Sequence, residues 1–242
     1  MVEFAGPPGG LSRRRLSFQQ PLISQNKSVL VTTEVSLIEQ LGKWQANRQE
    51  YQEILIGANI NLKRPIEIPS QLGGGGGICF KSAGGRLISQ TSCFILKGQK
   101  IKFDSLLADC LTFAEGSGVT YSGVSIINCD LFCNRVFVDD PANVNTDVII
   151  QGNFFRVAGP ITQSVIQLHG VGVVNGNRFS QTASGVGNIV VGAGGRRVAI
   201  TGNYVNNGGI VTNASAGNNT IVGNTVAGTI TPAGSDQVGL NT

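Results

Sequence analysis

The stretch VIIQGNFFR, residues 148–156, returns in altered form as GVVNGNRFS (172–180), VAITGNYVN (198–206) and TIVGNTVAG (220–228), each time with Gly-Asn after an apolar run. A fixed spacing of this kind marks one structural unit stacked on copies of itself. With the Asn as marker, Asn153, Asn177, Asn203 and Asn224 stand 24, 26 and 21 residues apart. Walking back in the same frame reaches Asp130 in SIINCDLF, with Cys129 in the Gly place, then Asp104 in KIKFDSLL and Lys81 in GICFKSA, by steps of 23, 26 and 23. Three residues before these seven markers lie Ile78, Ile101, Ile127, Ile150, Val174, Ile200 and Ile221. Two residues after them lie Ala83, Leu106, Phe132, Phe155, Phe179, Val205 and Val226. All fourteen are apolar, so both positions are expected to face a common core.

Within each unit the apolar runs are short, β-branched and bounded by Gly, Asn and Ser, which is the pattern of strands joined by turns. A second strand follows in most units, as in RVFVD, SVIQLHG, GNIVVGA, GGIVTNA and GTITP. Two or three strands per coil, none able to bury its apolar side alone, predict an all-β, single-stranded parallel β-helix. Seven coils at ~4.8 Å would stand roughly 34 Å tall. Gly supplies the left-handed backbone where a strand bends, and Asn tolerates the same region. Asn153, Asn177, Asn203 and Asn224 are therefore expected to stack as a structural column that pairs amides otherwise buried alone.

Composition agrees with one turn-rich domain: 242 residues, 34 Gly and only 13% charged residues. The net charge of +4 is too mild to indicate nucleic acid as a partner. No apolar run reaches the ~18 residues of a membrane span, so no membrane insertion is expected.

Residues 1–30 read as an extended arm without strand or helix period, carrying Arg13, Arg14, Arg15 and Phe18 as candidate anchoring residues. They lack the continuous apolar core of a secretory signal. Residues 31–53 hold a helical pattern with Leu37, Ile38, Leu41 and Trp44 on one face and capping-box spacing at Ser36 and Glu39. Such a helix is expected to cover the open end of a β-helix spanning 54–242.

From ILIGANINLKRPIEIPSQLGG onward, an apolar strand, a second strand ending in Ile-Pro and a glycine-rich turn resemble the right-handed parallel β-helix proteins. That pectate-lyase-like group includes many bacteriophage tailspikes and fibres, and the resemblance covers roughly residues 54–230. It implies a virion component, assembled in host cytoplasm as a homotrimer, contacting other virion proteins through the arm and with host polysaccharide as a candidate ligand. It equally admits a polysaccharide lyase or glycoside hydrolase, or a bacterial β-helix adhesin.

The residues themselves offer little chemistry. Cys79, Cys93, Cys110, Cys129 and Cys133 are an odd number set among strand residues, expected as buried free thiols. With one histidine, His169, and no paired ligand spacing, neither a metal site nor a cofactor is expected. Between Asp147 and Asp236 there is no acid, so the last four coils lack the two carboxylates of a glycosidase. Asp104, Asp130, Asp139 and Asp140 remain as candidates, the first two in one expected column. No catalytic residue is assigned. One residue after the later markers, Leu131, Phe154, Arg178, Tyr204 and Thr225 are expected to point outward. Phe154, Arg178 and Tyr204 are thus the candidate carbohydrate-binding or subunit-contact strip. The tail TPAGSDQVGLNT is expected to be too short to cap the last coil alone.

Overall fold

A computed structural model of the chain describes residues 27–47, 51–69, 76–98, 100–117, 122–141, 146–156, 163–180, 187–213 and 216–242. Arg13, Arg14, Arg15 and Phe18 lie outside the described residues. The chain winds as a parallel β-solenoid of about seven turns with one helix. One ten-stranded sheet forms the first face, in the order Lys27–Val31, Gln52–Ile56, Ile78–Ser82, Ile101–Asp104, Ser122–Ile127, Thr146–Gln151, Gly172–Asn175, Ala199–Thr201, Thr220–Val222, Gln237–Val238. Seven of these belong to the expected coils; two more precede them and one follows. A fourteen-stranded sheet covers the remaining two faces. In the middle coils Leu107–Gly116 and Asp130–Val138 run unbroken across both, whereas later coils split into pairs such as Phe154–Arg156 and Ile166–Leu168.

Alternation along each strand sends one column inward: Ile54, Phe80, Phe103, Ile126, Ile150, Val174, Ile200 and Ile221, in register and fully buried. Burial of each such side chain contributes about 1.5–3 kcal/mol. Phe80, Phe94, Phe103 and Phe113 fill the N-terminal half as one aromatic cluster with centroids 4.6 to 5.5 Å apart.

The same register corrects the upstream markers. The left-handed turn position is held by Gly152, Gly176, Gly202 and Gly223, and further upstream by Asn128 and Ser105, all with φ between 54° and 69°. The residues that follow, Cys129 and Leu106, are therefore the true equivalents of Asn153. The expected frame was one residue late at Asp130 and two early at Asp104 and Lys81. A two-residue slip keeps a side chain on its face, so Ile78 and Ile101 are still buried. A one-residue slip reverses it: Phe132, expected inside, is 37% exposed, and Leu131, expected outside, is fully buried. Ala83 is also exposed rather than core.

The Asn column forms a continuous hydrogen-bonded ladder. Asn153 Oδ1 accepts the Cys129 N–H at 2.8 Å, and Asn177 Oδ1 accepts both the backbone N–H (3.0 Å) and Nδ2 (2.9 Å) of Asn153. Asn203 and Asn224 repeat the pattern toward the C-terminus. Each Nδ2 also donates to a carbonyl of the preceding coil, those of Ile126, Ile150, Val174 and Ile200. The tail adds a rung: Asn241 Oδ1 accepts the Asn224 N–H at 2.9 Å, so the last coil is extended rather than left bare. Val238 and Leu240 remain exposed on that open end.

The helix, Glu34–Ala46, closes the other end with Leu37, Leu41 and Trp44 buried, while Ile38 stays exposed. Its capping box lies one turn earlier than expected: Thr33 accepts the Ser36 N–H and donates its own N–H to Ser36 Oγ, both at 3.1 Å. Glu34 accepts the Lys63 N–H at 2.8 Å and ties the helix to the first coil. Lys27–Val31 pairs with Gln52–Ile56, so the expected boundaries at residues 30 and 53 both fall inside strands of the solenoid.

Candidate contact surface on the second face

The strands starting at Asp130, Phe154, Arg178, Tyr204 and Thr225 stack in parallel register, with those five residues in one outward column. Their inward neighbours Leu131, Phe155, Phe179 and Val205 are buried, and the Phe155 and Phe179 rings meet at 4.9 Å. The core thus fixes the strip above it. Phe154, Arg178 and Tyr204 are brought together as expected: the Arg178 guanidinium carbon lies 5.5 Å from the Phe154 ring centroid and 5.8 Å from that of Tyr204. Each cation–π contact at an exposed site is worth about 0.5–1 kcal/mol.

Three further members were not among the residues expected in the strip. Asp130 takes the place expected for Leu131 at the head of the column. Phe132 and Arg156, paired in register two residues along, form a second outward column. Arg156 lies 5.2 Å from the Phe154 centroid and makes an ion pair with Asp130, its Nε 3.0 Å from Oδ1. The signal that would have found Asp130 and Phe132 was Asn128, an Asn standing where later coils have Gly; Arg156 was readable from Asn153, three residues before it. The resulting surface carries the exposed rings of Phe132 and Tyr204, the half-buried ring of Phe154 and two guanidinium groups.

The candidate acids do not assemble into a catalytic pair. Asp104 is in register with Ile127 on the first face, and Asp130 with Leu107 on the second, so the expected shared column does not exist. Asp104 is held by Lys102 at 2.8 Å, and Glu53 by Lys81 at 2.6 Å. The Lys81 hydrogen bond lowers the Glu53 pKa; burial works to raise that of Asp104, but hydrogen bonds from Lys102 and Ser105 leave it lowered. Neither is poised to donate a proton to a leaving group near neutral pH. Lys81 is raised by Glu53 and is correspondingly a poor base. Asp139 is buried and accepts the His169 backbone N–H at 2.8 Å; Asp140, beside it, is half-buried.

His169 is a packed core residue. Its Nδ1 faces the Ala193 carbonyl at 3.1 Å and its Nε2 faces Gln167 Nε2 at 2.8 Å, while Gln167 Oε1 accepts from Arg135. One tautomer satisfies all three contacts, with the proton on Nδ1. The ring lies against Gly192, where a Cβ would come within 2.2 Å of it. All five cysteines are buried free thiols, and among the described residues no group of three or more potential metal ligands converges. No helix among them is long and apolar enough to cross a membrane. Compared with protein families, curated proteins and solved structures, the chain matches none.

Proposed function

We propose that this chain is a structural and adhesive component of a virion, a tailspike, fibre or capsid-attached spike, that makes lengthwise contact with host-surface glycan through its second face. The single observation carrying this reading is the stack of Phe154, Arg178 and Tyr204 on three successive coils. Aromatic rings two coils apart, at ~4.8 Å per coil, offer apolar contact to alternate sugar rings of an extended chain. Of the candidate acids, Asp104 and Asp130 are engaged by cations and Asp139 is buried, which suits adhesion better than depolymerisation. Virion localisation rests on the resemblance of the sequence and attachment by the arm on the composition of residues 1–30; recovery of the chain from purified particles by mass spectrometry, lost on deletion of residues 1–26 ahead of the first strand, tests them. Its absence there would defeat the virion assignment.

A second reading places the same strip at the contact between copies in a homotrimer, favoured by the oppositely charged Asp130 and Arg156 beside exposed Phe132. The double variant Phe154→Ser/Tyr204→Ser separates the two. Glycan contact predicts that adsorption to host cells falls at least tenfold while the β-sheet circular dichroism and the particle mass by mass photometry stay unchanged. A drop to monomer mass would assign the strip to subunit contact instead.

A further inference from the structure

We propose that the strip selects an acidic polysaccharide in which a carboxylate-bearing sugar alternates with an uncharged one. This rests on the reading of the second face as a glycan contact and names the class of glycan. Arg178 carries the inference. Its guanidinium lies over the Phe154 and Tyr204 rings, and among the described residues no carboxylate comes within ion-pair distance of it. Arg156, in the neighbouring column, differs because Asp130 already neutralises it. A guanidinium held against rings keeps its in-plane N–H fork for another acceptor. The two coplanar oxygens of a sugar carboxylate match that fork with two parallel charge-assisted bonds, whereas a hydroxyl of a neutral sugar matches it with one weaker bond.

The positions on either side of Arg178 are uncharged aromatic rings. They favour the C–H face of a pyranose, and the other cation beside them, Arg156 at Phe154, is already paired with Asp130. Along the column the order is ring, cation, ring, spanning about 10 Å at ~4.8 Å per coil. A ligand lying on it meets one anionic station flanked by two apolar ones. A uniformly charged polymer would press unpaired carboxylates onto Phe154 and Tyr204, which costs desolvation without compensation.

The test is calorimetric titration of the full chain with three hexasaccharides: alternating glucuronate and N-acetylglucosamine, the same oligomer with its carboxyl groups reduced to alcohols, and an all-uronate oligomer. The expected result is that the alternating acid binds about tenfold more tightly than its reduced form, the difference of one charge-assisted bidentate contact. Arg178→Gln should abolish that preference, leaving the acidic and reduced oligomers equal in affinity, and Arg178→Lys should restore it only in part. Thermal melts of both variants should stay within a few degrees of wild type, since the side chain is exposed and only its two ring contacts change. Equal binding of acidic and reduced forms, with both weakened by Tyr204→Ser, would overturn the charge selection while leaving the glycan contact standing. All-uronate binding as tight as the alternating oligomer would overturn the alternation, and no binding of any of the three would overturn the inference outright.

Discussion

Replacing Phe179 with Asp should abolish soluble folding, whereas Phe132→Asp, on the same face of the solenoid, should leave a folded protein. Phe179 is fully buried against Phe155, with ring centroids 4.9 Å apart. Asp there removes a large apolar side chain, at about 3–5 kcal/mol, and places a carboxylate where nothing pairs with it, at a cost of several kcal/mol more. The sum is comparable to the whole stability of a typical domain. Phe132, two residues after the expected marker as Phe179 is after Asn177, points to solvent and already has Arg156 beside it in register. Soluble yield and circular dichroism of the two variants check the register directly. If neither folds, the one-residue offset at Asp130 is wrong, and if both fold, Phe179 is not in the core.

Asn177→Ala should lower stability by about 3–5 kcal/mol, equivalent to roughly 10 °C in melting temperature, while Asn241→Ala should cost about 1 kcal/mol or less. Asn177 accepts the backbone N–H and Nδ2 of Asn153 and donates to the Ile150 carbonyl, all in a buried column. Its removal leaves the Asn153 N–H without its acceptor and water cannot enter to replace it. Asn241 makes the same kind of bonds to Asn224 and Ile221, but it is only half-buried, so solvent can take its place. Denaturant melts of the two variants give the comparison. Similar losses at both sites would mean that the ladder acts through turn conformation rather than through buried hydrogen bonds.

The downstream coils were legible because one residue type served each mechanical position: Gly in the left-handed turn at 152, 176, 202 and 223, and Asn in the ladder one residue on. Upstream, the same positions are filled differently. Asn128 and Ser105 take the left-handed place, and Cys129 joins the ladder only by donating its backbone N–H to Asn153 Oδ1. Ile126 and Ile127 are adjacent and both apolar, so hydrophobicity could not choose which one faced the core. Structure chooses Ile126, leaving Ile127 half-buried. A second ladder was hidden for another reason. Asn219 accepts the Val198 N–H and donates to Asp236, a residue of the tail that no spacing in the repeat connects to it.

The strip followed the same division. Phe154, Arg178 and Tyr204 sit in coils whose markers are Asn, so their outward direction followed from the alternation of the strand. Asp130 and Phe132 belong to the coil where the marker is Cys, and Arg156, in the Asn153 coil, joins the strip through its pairing with Phe132. The Asp130–Arg156 ion pair crosses coils and could be recognised only once the register was known. It also alters the chemistry of the surface, because it leaves Arg178 as the cation of the column free to meet a ligand.

The central claim, contact with a polysaccharide without cleavage, is tested most directly by the length of a bound polymer. The protein should be incubated with a polysaccharide that it retains, and the polymer's size distribution followed by size-exclusion chromatography with light scattering. The account predicts retention with an unchanged distribution after prolonged incubation, because the ionised Glu53 and Asp104 are tied to lysines and Asp130 to an arginine. Progressive shortening of the polymer by wild-type protein, lost in Asp104→Asn or Asp130→Asn, would contradict it and identify the chain as a depolymerase.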